Sequence, residues 1–503
     1  MPASNPDKRN SVHDQAASGH RSTLFSQTMR LLCKVASVLV VARLVAPSDY
    51  GLSAMATSIT IFLWMFRDLG LGTAAIQIPH LTPGLCASLF RAQLVLGLSF
   101  TLITAAAGPL AAQFYGQPEL VRLLLLSSLS FLFIGIAGLP RTLLFRALRF
   151  DEINRIETIS AFTATAGMIT AAALGAGAYS LILFMVLVDI VWAVLAWKHE
   201  PCRQLLSAPR ESLVALARTG RELTYFQALN YLSQQAEIVG VGQYLGAYAL
   251  GLYSRASQML ALPTTHLAEP LSQVTLTALS RLTTAPEGFK KQVASGVTII
   301  AYLTLPVAAL CIAIPEEIVR ILLGSQWHEA APLMRWLAVS AALMQVTQIA
   351  QSIAIAVDQS RRLILTAAVT LITLISAVVI GLPHGPNGVA LAVAVANLLL
   401  FLPRLWWRLK GSPVRVAHFV NALKGPFLTA LLLGLGAASG RALCAADNFS
   451  LRLLSSLTGA ALPLGITALI SGKLRDEWRG VWTHLPWAAK TPPISTAPQN
   501  DVP

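Results

Sequence analysis

Positive charge alternates along this 503-residue chain, and that alternation fixes what it can fold into. Apolar stretches long enough to cross a bilayer follow one another from about residue 22 to about residue 472. Lysine and arginine collect in every second gap between them. A bilayer core takes roughly 20 apolar residues per helix, which predicts about fourteen spans. The charged gaps are the amino tail (Lys8, Arg9, Arg21), 141–155 (Arg141, Arg146, Arg149, Arg155), 198–221, 281–291, 361–362, 404–424 and the carboxyl tail (Lys473, Arg475, Arg479, Lys490). They hold most of the 37 lysines and arginines. By the positive-inside rule these gaps face the cytoplasm, so the span count is even and both termini are cytoplasmic.

Composition agrees. Apolar residues make up 55% of the chain and charged residues 12%, about half the charge of a soluble protein. The net charge of +14 sits in the gaps. It therefore reads as topology and contact with anionic lipid headgroups, with no nucleic-acid partner implied. The five cysteines are scattered and show no C-x-x-C pair, so neither a disulfide framework nor a metal site is expected. Residues 1–21 are polar, so no cleavable leader is expected and the first span serves as its own insertion signal.

The expected spans are 22–45, 51–77, 84–113, 119–140, 152–176, 179–198, 221–245, 249–280, 289–314, 329–357, 361–382, 386–409, 417–440 and 450–471. All are helices, because lipid leaves backbone groups unpaired unless a helix or closed barrel satisfies them. The longest inner gap divides the chain. We expect a cytoplasmic tail (1–21), an N-lobe of six spans (22–198), an interlobe loop (199–220), a C-lobe of six spans (221–410), two further spans (411–472) and a second cytoplasmic tail (473–503). The halves echo each other: Tyr50-Gly51-Leu52 opens span two, and Leu250-Gly251-Leu252 opens span eight, 200 positions later. A second echo pairs Gly177-Ala178-Tyr179-Ser180-Leu181 with Asn387-Gly388-Val389-Ala390-Leu391. Two six-helix bundles around a central cavity is a transporter design.

Four segments resemble, in order, the Wzx-type polysaccharide (O-antigen and exopolysaccharide) flippases of the MOP exporter superfamily. They are Ala42-Arg43-Leu44-Val45-Ala46-Pro47-Ser48-Asp49-Tyr50-Gly51-Leu52, Asp68-Leu69-Gly70-Leu71 with Ala74-Ala75-Ile76-Gln77, Pro140 with Leu144-Phe145-Arg146-Ala147-Leu148-Arg149-Phe150, and Gly246 through Ala256. The resemblance implies an all-α membrane protein of the bacterial inner membrane. Its implied cargo is an oligosaccharide linked to a lipid, undecaprenyl diphosphate, moved from the cytoplasmic to the outer leaflet by alternating access. It also implies membrane lipids, a polysaccharide polymerase and a chain-length regulator as partners.

Charge inside a bilayer costs about 2.5–3.5 kcal/mol per residue at mid-helix, so each such residue is a functional candidate. Gln27, Arg30, Lys34 and Ser37 share one face of span one. At ~1.5 Å per residue, Arg30 lies roughly 12 Å and Lys34 roughly 18 Å from the inner end, and Arg67 on span two lies at about 16 Å. Arginine grips phosphate oxygens in a planar fork and lysine adds a point charge. In related lipid II flippases, cations on helices one, two and eight are thought to hold the diphosphate. The resemblance therefore makes Arg30, Lys34, Arg67 and Arg255 the substrate-binding candidates. The bland reading has Arg30 and Arg255 snorkelling to an interface and Arg67 paired with Asp68 or Glu269. Span seven carries a matching polar face of Gln227, Asn230, Gln234 and Glu237. Glu237, Asp189 in span six and Glu269 in span eight are the candidate ion-coupling carboxyls for H+ or Na+. A structural role stays open for each, Glu237 as a partner of Arg255 or Arg43 and Asp189 as an interhelical anchor. His266 with Glu269 between Pro263 and Pro270 reads equally as a helix distortion. Glu157 with Arg155 reads as an interfacial pair.

No Walker motif, H-E-x-x-H or nucleophile elbow is present, so no catalytic residue and no organic cofactor are expected. Two rivals remain: a cation-coupled multidrug antiporter of the same superfamily, and a membrane glycan polymerase or ligase. The first needs an acidic cavity, and the second usually needs a large outer loop.

Overall fold

The computed structural model describes residues 26–67, 70–78, 81–199, 202, 209, 211–212, 214–263, 279, 285–357, 360–443 and 449–470. Among them there is no strand. Helix α1 covers 26–44. It is followed by α2 (Pro47–Trp64), α3 (Leu71–Gln77), α4 (Pro83–Tyr115), α5 (Leu120–Arg146), α6 (Phe150–Ala173), α7 (Ala178–His199) and α8 (Val214–Pro263). Then come α9 (Pro286–Ala313), the short α10 (Pro315–Leu322), α11 (Ala330–Ala356), α12 (Ser360–Gly381), α13 (Gly385–Leu409), α14 (Val416–Leu443) and α15 (Phe449–Ile470). Within the described residues the expected spans coincide with helix, span two as α2 plus α3 and spans seven and eight as the two parts of α8, which breaks at Gly246 and is described as far as Pro263.

This is an all-α integral membrane fold. Among the described residues, seven helical segments are long and apolar enough on their own to cross a bilayer. Leu102, Leu110, Ile380 and Leu399 are each close to 70% exposed. Side chains of that kind, in such number, need lipid around them.

The chain forms two compact units. The first comprises Met1–Met259, Ile318–Leu337 and Leu363–Leu400; the second comprises Leu260–Glu317, Ala338–Arg362 and Phe401–Pro503. In the first, α4 packs on α5, and α7 packs on both α5 and α6. In the second, α14 lies between α9 and α15.

Two backbone carbonyls freed by prolines inside helices find partners, as lipid demands. Pro140 in α5 has no N–H, which leaves the carbonyl four residues back without its helical donor. That carbonyl, on Ile136, accepts from the Trp197 indole of α7 at 2.8 Å. Pro426 in α14 frees the Ala422 carbonyl in the same way, and the Thr298 hydroxyl of α9 donates to it at 3.2 Å. Near the end of α1 the Ala42 carbonyl accepts from the Trp327 indole at 2.7 Å and from Gln326, while the Arg43 side chain donates to the Ile321 carbonyl of α10 at 2.8 Å.

The internal echo has a physical counterpart. A Cβ on Gly51 would run into the carbonyl of Ala247, and a Cβ on Gly251 would run into the carbonyl of Pro47. Pro47 and Ala247 are 200 positions apart, as are Gly51 and Gly251. The contact reads the same from either member, as contacts about a two-fold axis do. Only glycine permits that approach of the two backbones.

Candidate functional site

A cavity of about 590 Å³ opens among α1 to α7 in the first unit. Its charged lining is Arg30 from α1, Arg67 from the segment between α2 and α3, Arg141 from α5, Glu157 from α6 and Asp189 from α7, with Gln93 of α4 among its neutral polar groups. Trp64 and Trp192 form part of its wall. Three guanidiniums thus face one chamber with two carboxylates.

Local sequence explains how they get there. Span two is not one continuous helix. It stops at Trp64 and resumes at Leu71, with Gly70 at φ 73°. Backbone of that kind is tolerated at membrane depth only where it lines a cavity or is buried in protein. Arg67 sits in the break. Its guanidinium carbon lies 3.3 Å from the Trp64 ring centroid, a cation–π stack. Arg141 directly follows Pro140, the residue that opens the α5 ladder. Its guanidinium lies 4.8 Å over the Trp192 ring. The segment after it is held by Arg146, which donates to the carbonyls of Ala75 (2.9 Å) and Ile78 (2.6 Å) at the end of α3.

The carboxylates answer the arginines. Glu157 forms an ion pair with Arg30, with the two side chains 32% and 27% exposed. Asp189 shares the chamber lining with Arg67 and Arg141.

The structure brings Arg30, Arg67 and Asp189 into the chamber and leaves other candidates elsewhere. Lys34 lies one turn beyond Arg30 on α1, exposed and outside the chamber lining. Arg255 is buried on α8, with its guanidinium 4.7 Å over the Tyr50 ring and a bond to Gln258 at 3.0 Å. It braces the start of α2 rather than lining the chamber. Glu237 accepts from the Tyr253 hydroxyl at 2.5 Å, so its partner in this structure is neither Arg255 nor Arg43. His266 and Glu269, and the side chains of Gln227, Asn230 and Gln234, lie outside the described residues.

Sequence reasoning missed Arg141 and misassigned Glu157. Charge alternation assigned Arg141 to an inner gap, although the preceding proline marks a distorted helix. Glu157 was read with Arg155, whereas its partner is Arg30 across two helices.

Comparison with known proteins follows the same line. A family model described as "Polysaccharide biosynthesis protein" matches residues 40–332, more than half of the chain. The chain belongs to the polysaccharide biosynthesis protein family. Among its relatives is the succinoglycan biosynthesis transport protein ExoT of Rhizobium meliloti (strain 1021). It is 24% identical over 457 residues, 90% of this chain and 88% of that one. The lipopolysaccharide biosynthesis protein WzxC of Escherichia coli (strain K12) is 20% identical over 67% of this chain and 69% of its own. Among solved structures, the lipid II flippase MurJ in an inward closed conformation aligns with a TM-score of 0.67 at 16% identity, over 90% of this chain and 100% of that one. A multidrug resistance MATE transporter of the MOP superfamily, inward-facing, aligns at 0.62 with 13% identity, over 80% of this chain and 98% of that one. These likenesses show a shared fold. The chain is a multi-pass membrane protein of that family; ExoT is named a transport protein, MurJ a flippase and the MATE protein a transporter.

Proposed function

We propose that this protein flips an oligosaccharide carried on undecaprenyl diphosphate from the cytoplasmic to the outer leaflet of the bacterial inner membrane, for assembly of a surface polysaccharide. The observation that carries this reading is the convergence of Arg30, Arg67 and Arg141 on one chamber. Guanidinium forks suit the planar, multidentate demands of a diphosphate. The indoles of Trp64 and Trp192 add apolar faces beside the sugar-sized space. The polyprenyl tail stays in lipid while the headgroup occupies the chamber. The two six-span halves then rock in alternating access. Both termini face the cytoplasm. No organic cofactor takes part. A proton or Na+ on Glu237, Asp189 or Glu269 resets the cycle, and Lys34 guides the headgroup along α1. A polymerase and its chain-length regulator consume the product at the outer face.

Three cations against two carboxylates disfavour the reading as an exporter of cationic drugs, which an acidic cavity would serve. Replacing Arg67 and Arg141 together with alanine tests the proposal in cells. Surface polymer should disappear while the protein remains in the membrane fraction at wild-type abundance. Undiminished polymer from that double variant would overturn it.

A further inference from the structure

The chamber's own carboxylates are not needed to bind an anion; they oppose it. A negative substrate entering the chamber meets Glu157 already paired with Arg30, and Asp189 in the same lining as Arg67 and Arg141. Those carboxylates come from two helices, α6 and α7, that contribute no arginine to the lining. Their positions make sense for the empty state, in which three unneutralised guanidiniums would otherwise face one another in a low-dielectric wall.

We infer that Glu157 and Asp189 are resident counter-anions, which an incoming diphosphate displaces from the three arginines and which reclaim them to expel it. The inference rests on the reading of the chamber as a diphosphate site, and adds to it how the site lets go. A diphosphate diester carries two negative charges, and two carboxylates stand in its place beforehand. Loading is then an exchange of two anionic charges for two. The geometry permits it, because the Arg30–Glu157 pair is part-exposed on both sides and so reachable from the chamber. A transporter gains from such competition. Tight capture would slow release at the far side, and an internal competitor weakens capture and hastens release together.

The consequence is a gain of binding on removing an acid. When the binding-competent form is populated only in part, apparent affinity falls by that fraction. If each carboxylate holds its arginines about nine-tenths of the time, removing one strengthens anion binding by about tenfold. The experiment uses the full chain purified in detergent and radiolabelled inorganic pyrophosphate as probe, in equilibrium dialysis. Wild type is compared with Glu157→Gln, Asp189→Asn, Glu157→Asp and the double variant Arg67→Ala, Arg141→Ala. Size-exclusion profiles certify that each is folded, and either neutral variant suffices if the other does not fold. The expected result is tighter pyrophosphate binding by about tenfold in Glu157→Gln and Asp189→Asn, near-wild-type binding in Glu157→Asp, and loss in the double arginine variant. Wild-type binding that depends on the arginines yet is equal or weaker in both neutral variants would overturn the counter-anion inference alone. Binding in no variant, or binding indifferent to the arginines, would overturn the diphosphate reading as well.

Discussion

Replacing Arg141 with alanine isolates a residue that topology rules assign to a loop and the structure assigns to the chamber. The side chain stacks on Trp192 at 4.8 Å and lines the same chamber as Asp189. A net hydrogen bond to a charged group contributes about 1.5–3 kcal/mol, and about 1.4 kcal/mol is tenfold in affinity. Loss of one guanidinium should therefore weaken pyrophosphate binding by roughly 10- to 100-fold. Part of that loss is offset, because Asp189 has one cation fewer to hold. Arg141→Lys keeps the charge but loses the planar fork, and should recover only part of the affinity. Equilibrium dialysis of the purified chain measures binding, and surface polymer in cells measures transport. Arg149→Ala serves as the control, since Arg149 pairs with Glu152 at 2.8 Å near the start of α6, away from the chamber. Equal losses in Arg141→Ala and Arg149→Ala, or no loss in the former, would refute the assignment.

Further outcomes follow from single contacts. Gly51→Val places a side chain against the Ala247 carbonyl and should cost about 1–3 kcal/mol of stability, seen as a lower melting temperature in detergent. Gly251→Val should do the same by the reciprocal contact, whereas a loss from only one of them would contradict the two-fold packing. Trp197→Phe removes the 2.8 Å bond to the Ile136 carbonyl beneath Pro140. It should destabilise by about 1 kcal/mol, and Pro140→Ala in the same chain should restore that loss by supplying the helical N–H. Trp64→Leu removes the ring under Arg67, so pyrophosphate affinity should fall by a few-fold, in keeping with about 0.5–1 kcal/mol for a cation–π contact.

The spans were legible because the constraint that produces them is coarse. Roughly 20 apolar residues with charge at alternate ends leave few alternatives. Arg30, Arg67 and Asp189 were legible for the same reason: a charge in a greasy helix has to be used or hidden. What escaped were the departures from straight helices. Depth reckoned at a constant rise treats span two as continuous, yet it breaks after Trp64 and places Arg67 on irregular backbone. The same reckoning gave Arg141 to the inner gap. Arg255 was not legible in the same way: its guanidinium lies over the ring of Tyr50, 205 residues away in sequence. Pairing was the least legible feature. Glu157 has Arg155 as a near neighbour in sequence and Arg30 as its partner in space.

The central claim is that three arginines in one chamber hold a diphosphate headgroup during its passage across the bilayer. Its most direct measurement is translocation itself, in vesicles that contain the purified chain and a fluorescently tagged undecaprenyl diphosphate oligosaccharide. A membrane-impermeant quencher reports the fraction that has crossed. The account predicts rapid crossing with the wild-type chain and crossing no faster than in protein-free vesicles with Arg67→Ala, Arg141→Ala. Wild-type rates from that double variant would contradict it.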